Sequence, residues 1–226
     1  MLLPIDDARA EADERWTVEA VRLYRRYQHE IVEACGLCPW AVRVRQDGRV
    51  REHVLVQRED VSVDPSLNAI LALAEASVDV ALLIYPRLSL GRGAFEQFAA
   101  RVREADVRRW PLGEVPFVCA VFHPEADPDL TDPQRLIPFL RRTPDPTIQF
   151  LRSSVLDRVR SAGGQGTQFV DPSLFSLLTT ATPPLREQIA RANHATTVRL
   201  GLETLTRRLD DIVHDREVTY RALASG

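Results

Sequence analysis

The alternation of short apolar runs with helical patterns constrains the fold of this chain more than any other feature. The segments HVLVQ (53–57), DVALLIYP (79–86) and PFVCAVFHP (116–124) are rich in β-branched and aromatic residues, which predicts three strands. The last two are continuous apolar runs, typical of strands covered on both faces. Between the three, residues 66–77 and 93–106 carry apolar residues at helical spacing. This order predicts an α/β fold, a single sheet with right-handed crossover helices.

Long helices are predicted on either side of this core. Residues 12–35 carry apolar side chains at helical spacing, and Gly36 followed by Pro39 marks the end of this N-terminal helix. Near the other end of the chain, PPLREQ opens a pattern that predicts a C-terminal helix to about residue 213. Both helices are expected to pack on the sheet.

The segment that follows the third predicted strand has a different amino-acid composition. Residues 124–146 are rich in proline and aspartate, and repeated prolines predict a long loop or cover without a long regular element. TIQFLRSS (147–154) then predicts a fourth short strand. A helix is predicted over residues 153–162, and a glycine-rich turn over residues 163–166.

Composition sets the class of protein. The 226 residues are 45% hydrophobic and 27% charged, which is ordinary for a globular domain. We expect a single domain over residues 1–226, with a core at about 12–202 and a C-terminal helical extension at about 203–226. A net charge of -3 gives no electrostatic reason to bind nucleic acid. Neither a signal peptide nor a membrane span is recognisable, and three cysteines fit a reducing compartment, so a cytoplasmic protein is expected.

The chain contains no lysine, because all 29 of its basic residues are arginine. This excludes a Schiff base to a carbonyl substrate, a phosphate-loop lysine and a kinase lysine. Arginine remains available, and its planar guanidinium suits the recognition of carboxylate or phosphate.

Two cysteines lie three positions apart in EACGLCPWA, at Cys35 and Cys38. Redox pairs normally sit at a helix N-terminus, whereas this pair ends a helix, where the dipole raises the pKa of a thiol. We therefore expect Cys35 to be buried and unreactive, with no disulfide to Cys38. A zinc site shared with Cys119 and His123 is also disfavoured, because the latter two lie four positions apart on a predicted strand, which separates them by roughly 13 Å.

A smaller candidate site, formed by Cys38 and His123, remains after these alternatives. Cys38 follows a helix and His123 ends a strand, where functional groups concentrate in α/β sheets. If they meet beneath the proline-rich segment, the imidazole would activate the thiol or share a metal with it. The structural alternative is that Cys38 is a small buried hydrophobe and His123 a hydrogen-bonding loop anchor.

Four motifs carry a resemblance to a known family. They are LCPWA (37–41), FHP (122–124), RTPDPTIQFLR (142–152) and IARANHATTVRLG (189–201). In this order they resemble the motifs of a bacterial family known as domain of unknown function 1415, across roughly residues 20–202. The resemblance implies functional positions at Cys38, His123, Arg142, Arg152, Asn193 and Thr196. As the name of the family states, it implies no particular activity.

The chain also departs from the family pattern. The pattern's second histidine falls on Gln149, its glutamate on Ser153, its aspartate and tyrosine after FHP on Glu125 and Ala126, its asparagine on Arg141 and its tyrosine between prolines on Asp145. If the family site needs two histidines, it is not intact here. The departures therefore indicate a divergent member with altered or lost chemistry.

Three hypotheses for function follow from these residues. The first is a small enzyme with Cys38 and His123 as catalytic residues and Arg142, Arg152 and Asn193 binding an acidic small molecule. The second is a metal-binding or haem-binding protein that uses Cys38 or His123 as ligand. The third is a non-catalytic interaction protein on the same scaffold. We expect a small-molecule ligand and neither nucleic acid nor membrane as a partner, and the oligomeric state stays open.

Overall fold

The computed structural model describes residues 5–38, 40–57, 62–111, 114–155, 157 and 185–225. Its helices are α1 Ile5–Tyr27, continued by a π-helical segment Gln28–Glu33, then α2 Ala41–Gln46, α3 Asp64–Glu75, α4 Arg92–Val107, α5 Pro133–Leu140, α6 Leu185–Leu200 and α7 Leu202–Ser225. Its strands are β1 Val50–Val54, β2 Val80–Ile84, β3 Phe117–Phe122 and β4 Thr147–Arg152. The predicted turn at 163–166 lies outside the described residues, as does the predicted helix at 153–162 apart from residues 153–155 and 157.

The four strands form one mixed sheet in the order β1-β2-β4-β3. β1 and β2 are parallel and α3 crosses between them, whereas β4 runs antiparallel to both β2 and β3. The α/β fold class is confirmed, as is the placing of the three predicted strands in one sheet with α1 and α4 packed on it. Because β4 inserts between β2 and β3, β3 lies at an edge of the sheet.

Helices cover both faces of the sheet, and β2 lies between them. Ala81 and Leu83 face α3 and α4, whereas Leu82 and Ile84 face α1, α5 and α7, as the alternation of a strand requires. β3 differs, because Val118 is 42% exposed. The prediction that β3 is buried on both faces is therefore wrong, and its position at the sheet edge is the reason.

A short helix, α5, interrupts the proline-rich segment between β3 and β4. Asp132 begins it, since its carboxylate accepts from the backbone N–H groups of Gln134 and Arg135, and Pro133 follows at the first helical position. Leu136 and Phe139 are fully buried against the sheet. The eight residues of α5 correct the prediction of a long loop in this part, because the cap and the apolar spacing outweigh the prolines.

The N-terminal helix ends where the sequence predicts. Its last six residues are π-helical, and the segment closes at Gly36 with a φ of 65°, a value that favours glycine. The N–H of Gly36 donates to the Glu33 carbonyl, and that of Leu37 to the Val32 carbonyl. This turn directs the chain, and with it Cys38, back against α1.

The predicted C-terminal helix consists of two helices. Gly201, with a φ of 83°, separates α6 from α7, and α7 continues well beyond residue 213. Its Leu205, Leu209 and Ile212 are buried in the same cluster as residues of α1 and α5, so α7 belongs to the helical layer on that face of the sheet. No helix of the described residues combines the length and the apolar composition that crossing a membrane requires.

Candidate functional site

A small cavity opens at the C-terminal end of β3. It has a volume of about 240 Å³ and lies where β3, the loop after it, the first turn of α4 and the end of α5 meet. The described residues around it include Arg92, Glu96, Val121, His123, Glu125 and Arg141. Of the site residues predicted from the sequence, this set contains His123 alone.

His123 is held by backbone groups on both of its ring nitrogens. Its Nδ1 accepts from the N–H of Glu125 over 3.1 Å, and its Nε2 lies 2.9 Å from the carbonyl oxygen of Leu90. These partners fit a neutral ring with its proton on Nε2. The ring is 5% exposed and packs against Phe95 of α4. With both nitrogens occupied, His123 joins the end of β3 to the loop before α4, as the structural alternative expects.

Arg141 faces the same cavity and is mostly buried. Its guanidinium lies 5.2 Å from the centre of the Phe122 ring, a cation–π contact. Burial lowers the pKa of Arg141, which reports the cost of desolvating its charge. No described carboxylate lies within ion-pair distance of it. Arg141 is therefore a partly desolvated cation that is open to a ligand on the cavity side.

Two acidic side chains, Glu96 of α4 and Glu125 of the loop after β3, also line the cavity. Glu96 accepts from the Arg92 guanidinium over 2.8 Å, so its charge is compensated. The Glu125 carboxylate accepts from the backbone N–H of Arg92 over 3.2 Å, which satisfies one of the free amides of the first helical turn. A carboxylate at a helix N-terminus also interacts favourably with the helix dipole.

Cys38 is not among the residues that line the cavity beside His123. Burial raises the pKa of the Cys38 thiol, and backbone N–H groups of Trp40 and Ala41 partly oppose that shift. The thiol lies close enough to Tyr24 and Tyr27 of α1 to act electrostatically on both phenols. Because the His123 ring packs on α4, the predicted activation of Cys38 by His123 has no support in this geometry.

The second cysteine of the pair is buried as predicted. Cys35 is 6% exposed, and burial raises the pKa of its thiol against the opposing effect of the Arg208 guanidinium. Both Cys35 and Cys38 are free thiols in the structure.

The two predicted arginines serve other parts of the protein. The Arg142 guanidinium donates to the Pro124 carbonyl and pairs with Asp210 of α7. Arg152 pairs across the sheet with Phe117, at the end of β4 opposite to His123. Its guanidinium donates to the carbonyls of Val78 and Ala76 over 2.6 and 2.7 Å, closing the loop after α3. The prediction that Arg152 shares a pocket with His123 is therefore wrong.

The remaining motif positions give neither a metal site nor a shared pocket. Asn193 is buried on α6, and its carbonyl accepts from the Thr197 hydroxyl. Gln149, where the family pattern has histidine, pairs with Leu82 and Ala120 in the middle of the sheet. Within the described ranges, no three His, Cys, Asp or Glu side chains come together in a way that could hold a metal ion.

The set of site residues predicted from the sequence did not include Arg141, Arg92 or Glu125. Arg141 and Arg142 are adjacent, and only the turn after α5 decides that the first faces the cavity and the second faces α7. The sequence did contain a local sign of this site at Gly91 and Arg92. A glycine that lies between a strand and the helix that follows marks the N-terminus of that helix, which lies near the ends of the strands.

The fold and cavity describe an α/β protein with a mixed four-stranded sheet and a small charged site at one strand end. A family model, described as "Protein of unknown function (DUF1415)", matches residues 19–168. This chain belongs to that family. Neither the curated proteins nor the solved structures yielded a match.

Proposed function

We propose that this protein binds a small molecule through an anionic group, which the guanidinium of Arg141 receives in the cavity beside His123. One observation carries the proposal: Arg141 is mostly buried, lines the cavity and has no carboxylate partner among the described residues. An uncompensated buried cation is costly, and a bound carboxylate or phosphate would offset that cost through charge-assisted hydrogen bonds. The acidic ligand expected from the sequence is thus retained, with Arg141 in place of Arg142 and Arg152.

The surroundings of Arg141 support a binding role. The backbone N–H of His123 donates to the Arg141 carbonyl over 3.1 Å, and the Tyr27 hydroxyl donates to the adjacent Leu140 carbonyl over 2.6 Å. These bonds fix the turn that carries the guanidinium, and a site held by rigid elements loses less entropy on binding. Three free cysteines fit the cytoplasmic location expected from the sequence.

The test is equilibrium binding of small carboxylates and phosphates at low ionic strength, screened by thermal shift and measured by calorimetry. Arg141→Gln should lose roughly ten- to a hundred-fold in affinity, the loss of one hydrogen-bonded charge. Arg142→Gln removes the same charge one residue away and should bind as wild type does. Arg135→Gln, an exposed change on α5, is the second control.

Unchanged binding by the Arg141→Gln variant would overturn the proposal. So would a loss confined to the Arg142→Gln variant, which would restore the arginine predicted from the sequence. Circular dichroism of each variant confirms that the fold is kept before affinities are compared.

A further inference from the structure

The charges of the cavity do not all come from its arginines. Glu125 and Arg141 both line this space of about 240 Å³, but they form no ion pair with each other. Glu96 is already compensated by the Arg92 guanidinium. Among the residues that the structure describes, the cavity therefore presents one uncompensated cation, Arg141, and one carboxylate without a charged side-chain partner, Glu125.

The partners of Glu125 support this reading of its charge. In the described part of the chain its nearest basic group is Nδ1 of His123, 4.0 Å away, which is unprotonated because it accepts the Glu125 backbone N–H. Its other hydrogen-bond partner among the described residues is the backbone N–H of Arg92, a dipole without a formal charge. The side chain is 69% exposed, so it is accessible to a ligand from solvent.

From the presence of these two unpaired opposite charges in one cavity we infer that the ligand is a small zwitterion. Its anionic group would bind Arg141, and its cationic ammonium group would bind Glu125. A purely anionic ligand would satisfy Arg141 but be repelled by Glu125, whereas a zwitterion satisfies both. The cavity is below the roughly 300 to 1,000 Å³ of ordinary ligand pockets, so the molecule has about the size of an amino acid. This inference rests on the proposed binding role of Arg141 and specifies its ligand class.

The chain supplies an independent reason for two-point recognition. Arg141 follows α5, whereas Glu125 lies in the loop after β3, and the His123 backbone ties the two segments together through the Arg141 carbonyl. The backbone positions of the two residues are thus held by the fold rather than by one flexible segment. Two charged groups carried by connected segments select ligands that present both an anionic and a cationic group.

The experiment compares matched pairs of ligands on the intact protein. Each amino acid of a panel is titrated beside the carboxylic acid that lacks its amino group, for example alanine beside propionate, with affinities from protein-observed NMR. For the best amino acid we expect at least ten-fold tighter binding than for its deaminated partner. Glu125→Gln should remove this preference, because the ammonium group loses its carboxylate and the deaminated acid is no longer repelled and binds more tightly than it binds wild type. Glu104→Gln, which removes a carboxylate on the far part of α4, should keep the preference.

The outcomes separate the two proposals. Equal binding of the amino acid and its deaminated partner, with both lost in the Arg141→Gln variant, would overturn the zwitterion inference and leave anion binding in place. A preference that survives in the Glu125→Gln variant would overturn the role of Glu125. An absence of binding by every acid to the wild-type protein would overturn both.

Discussion

His123 donates its backbone N–H to the carbonyl oxygen of Arg141 over 3.1 Å, which joins the end of β3 to the turn after α5. The two residues lie 18 positions apart in the chain and contact different groups: the imidazole is bound to backbone groups, whereas the guanidinium faces the cavity. The strand-end histidine thus supports the site, and the arginine is the group that a ligand would meet.

The first prediction concerns His123 as an anchor. His123→Ala would leave the Leu90 carbonyl and the Glu125 N–H without their partners and remove the packing on Phe95. We expect a loss of about 2 to 3 kcal/mol in the free energy of unfolding, measured by urea denaturation. His214→Ala, at an exposed position on α7, is the control and should change stability by less than about 0.5 kcal/mol. A fully stable His123→Ala variant would contradict the anchoring role.

The second prediction concerns the buried carboxylate of Asp145, in the turn before β4. It accepts from the Arg216 guanidinium over 2.7 Å and from the Tyr220 hydroxyl over 2.6 Å, and it is fully buried. Burial raises the pKa of Asp145, and Arg216 and Tyr220 oppose that rise. Arg216→Met should therefore cost about 3 kcal/mol at pH 7, because it leaves a buried charge without its cation.

The cost of Arg216→Met should depend on pH in a defined direction. A carboxyl whose pKa is raised by folding binds more protons in the folded state, so acid favours that state as the pH falls toward the unfolded pKa of about 4. The destabilisation should thus be largest at neutral pH and shrink as the pH falls toward the unfolded pKa, because protonated Asp145 needs no cation. Urea unfolding of wild type and variant across pH 4 to 8 measures this. Arg221→Met, exposed on the same helix, should show little effect, and a cost independent of pH would argue against the ionised pair.

The third prediction concerns the two thiols. Cys35 is buried and Cys38 is less so, and burial raises the pKa of both. We expect alkylation of the native protein to modify Cys38 before Cys35 and to be slow at pH 7, because the thiolate is the reactive form. Mass spectrometry of partly alkylated protein identifies the site. Faster modification of Cys35 would show that the turn at Gly36 opens in solution.

The strands and long helices could be predicted because their apolar patterns are local. β2 is covered on both faces, and its run VALLI shows this directly. The central place of β4 could not be predicted, since TIQFLR has the same character at an edge or in the middle of a sheet. The helix α5 could have been found from Asp132 followed by Pro133, but the later Pro138 concealed it.

The site was harder to predict than the fold because it depends on where neighbouring side chains point. The motif match placed His123 and Arg152 in one pocket, whereas the register of β3 with β4 puts them at opposite ends of the sheet. The motif match also favoured Arg142 over Arg141, although the Arg142 guanidinium forms an ion pair with Asp210. Charge pairing across distant segments decides which arginine is left for a ligand, and the sequence contains no local sign of it.

The most direct test of the central claim is the NMR signal of the Arg141 side-chain Nε–H during titration with the best-binding carboxylate. The signal is assigned by its absence from the spectrum of the Arg141→Gln variant. We predict that it shifts and saturates with the affinity measured by calorimetry, while the Arg142 signal stays in place because Asp210 and the Pro124 carbonyl hold that side chain. An Arg141 signal that does not move while the ligand binds would contradict the account.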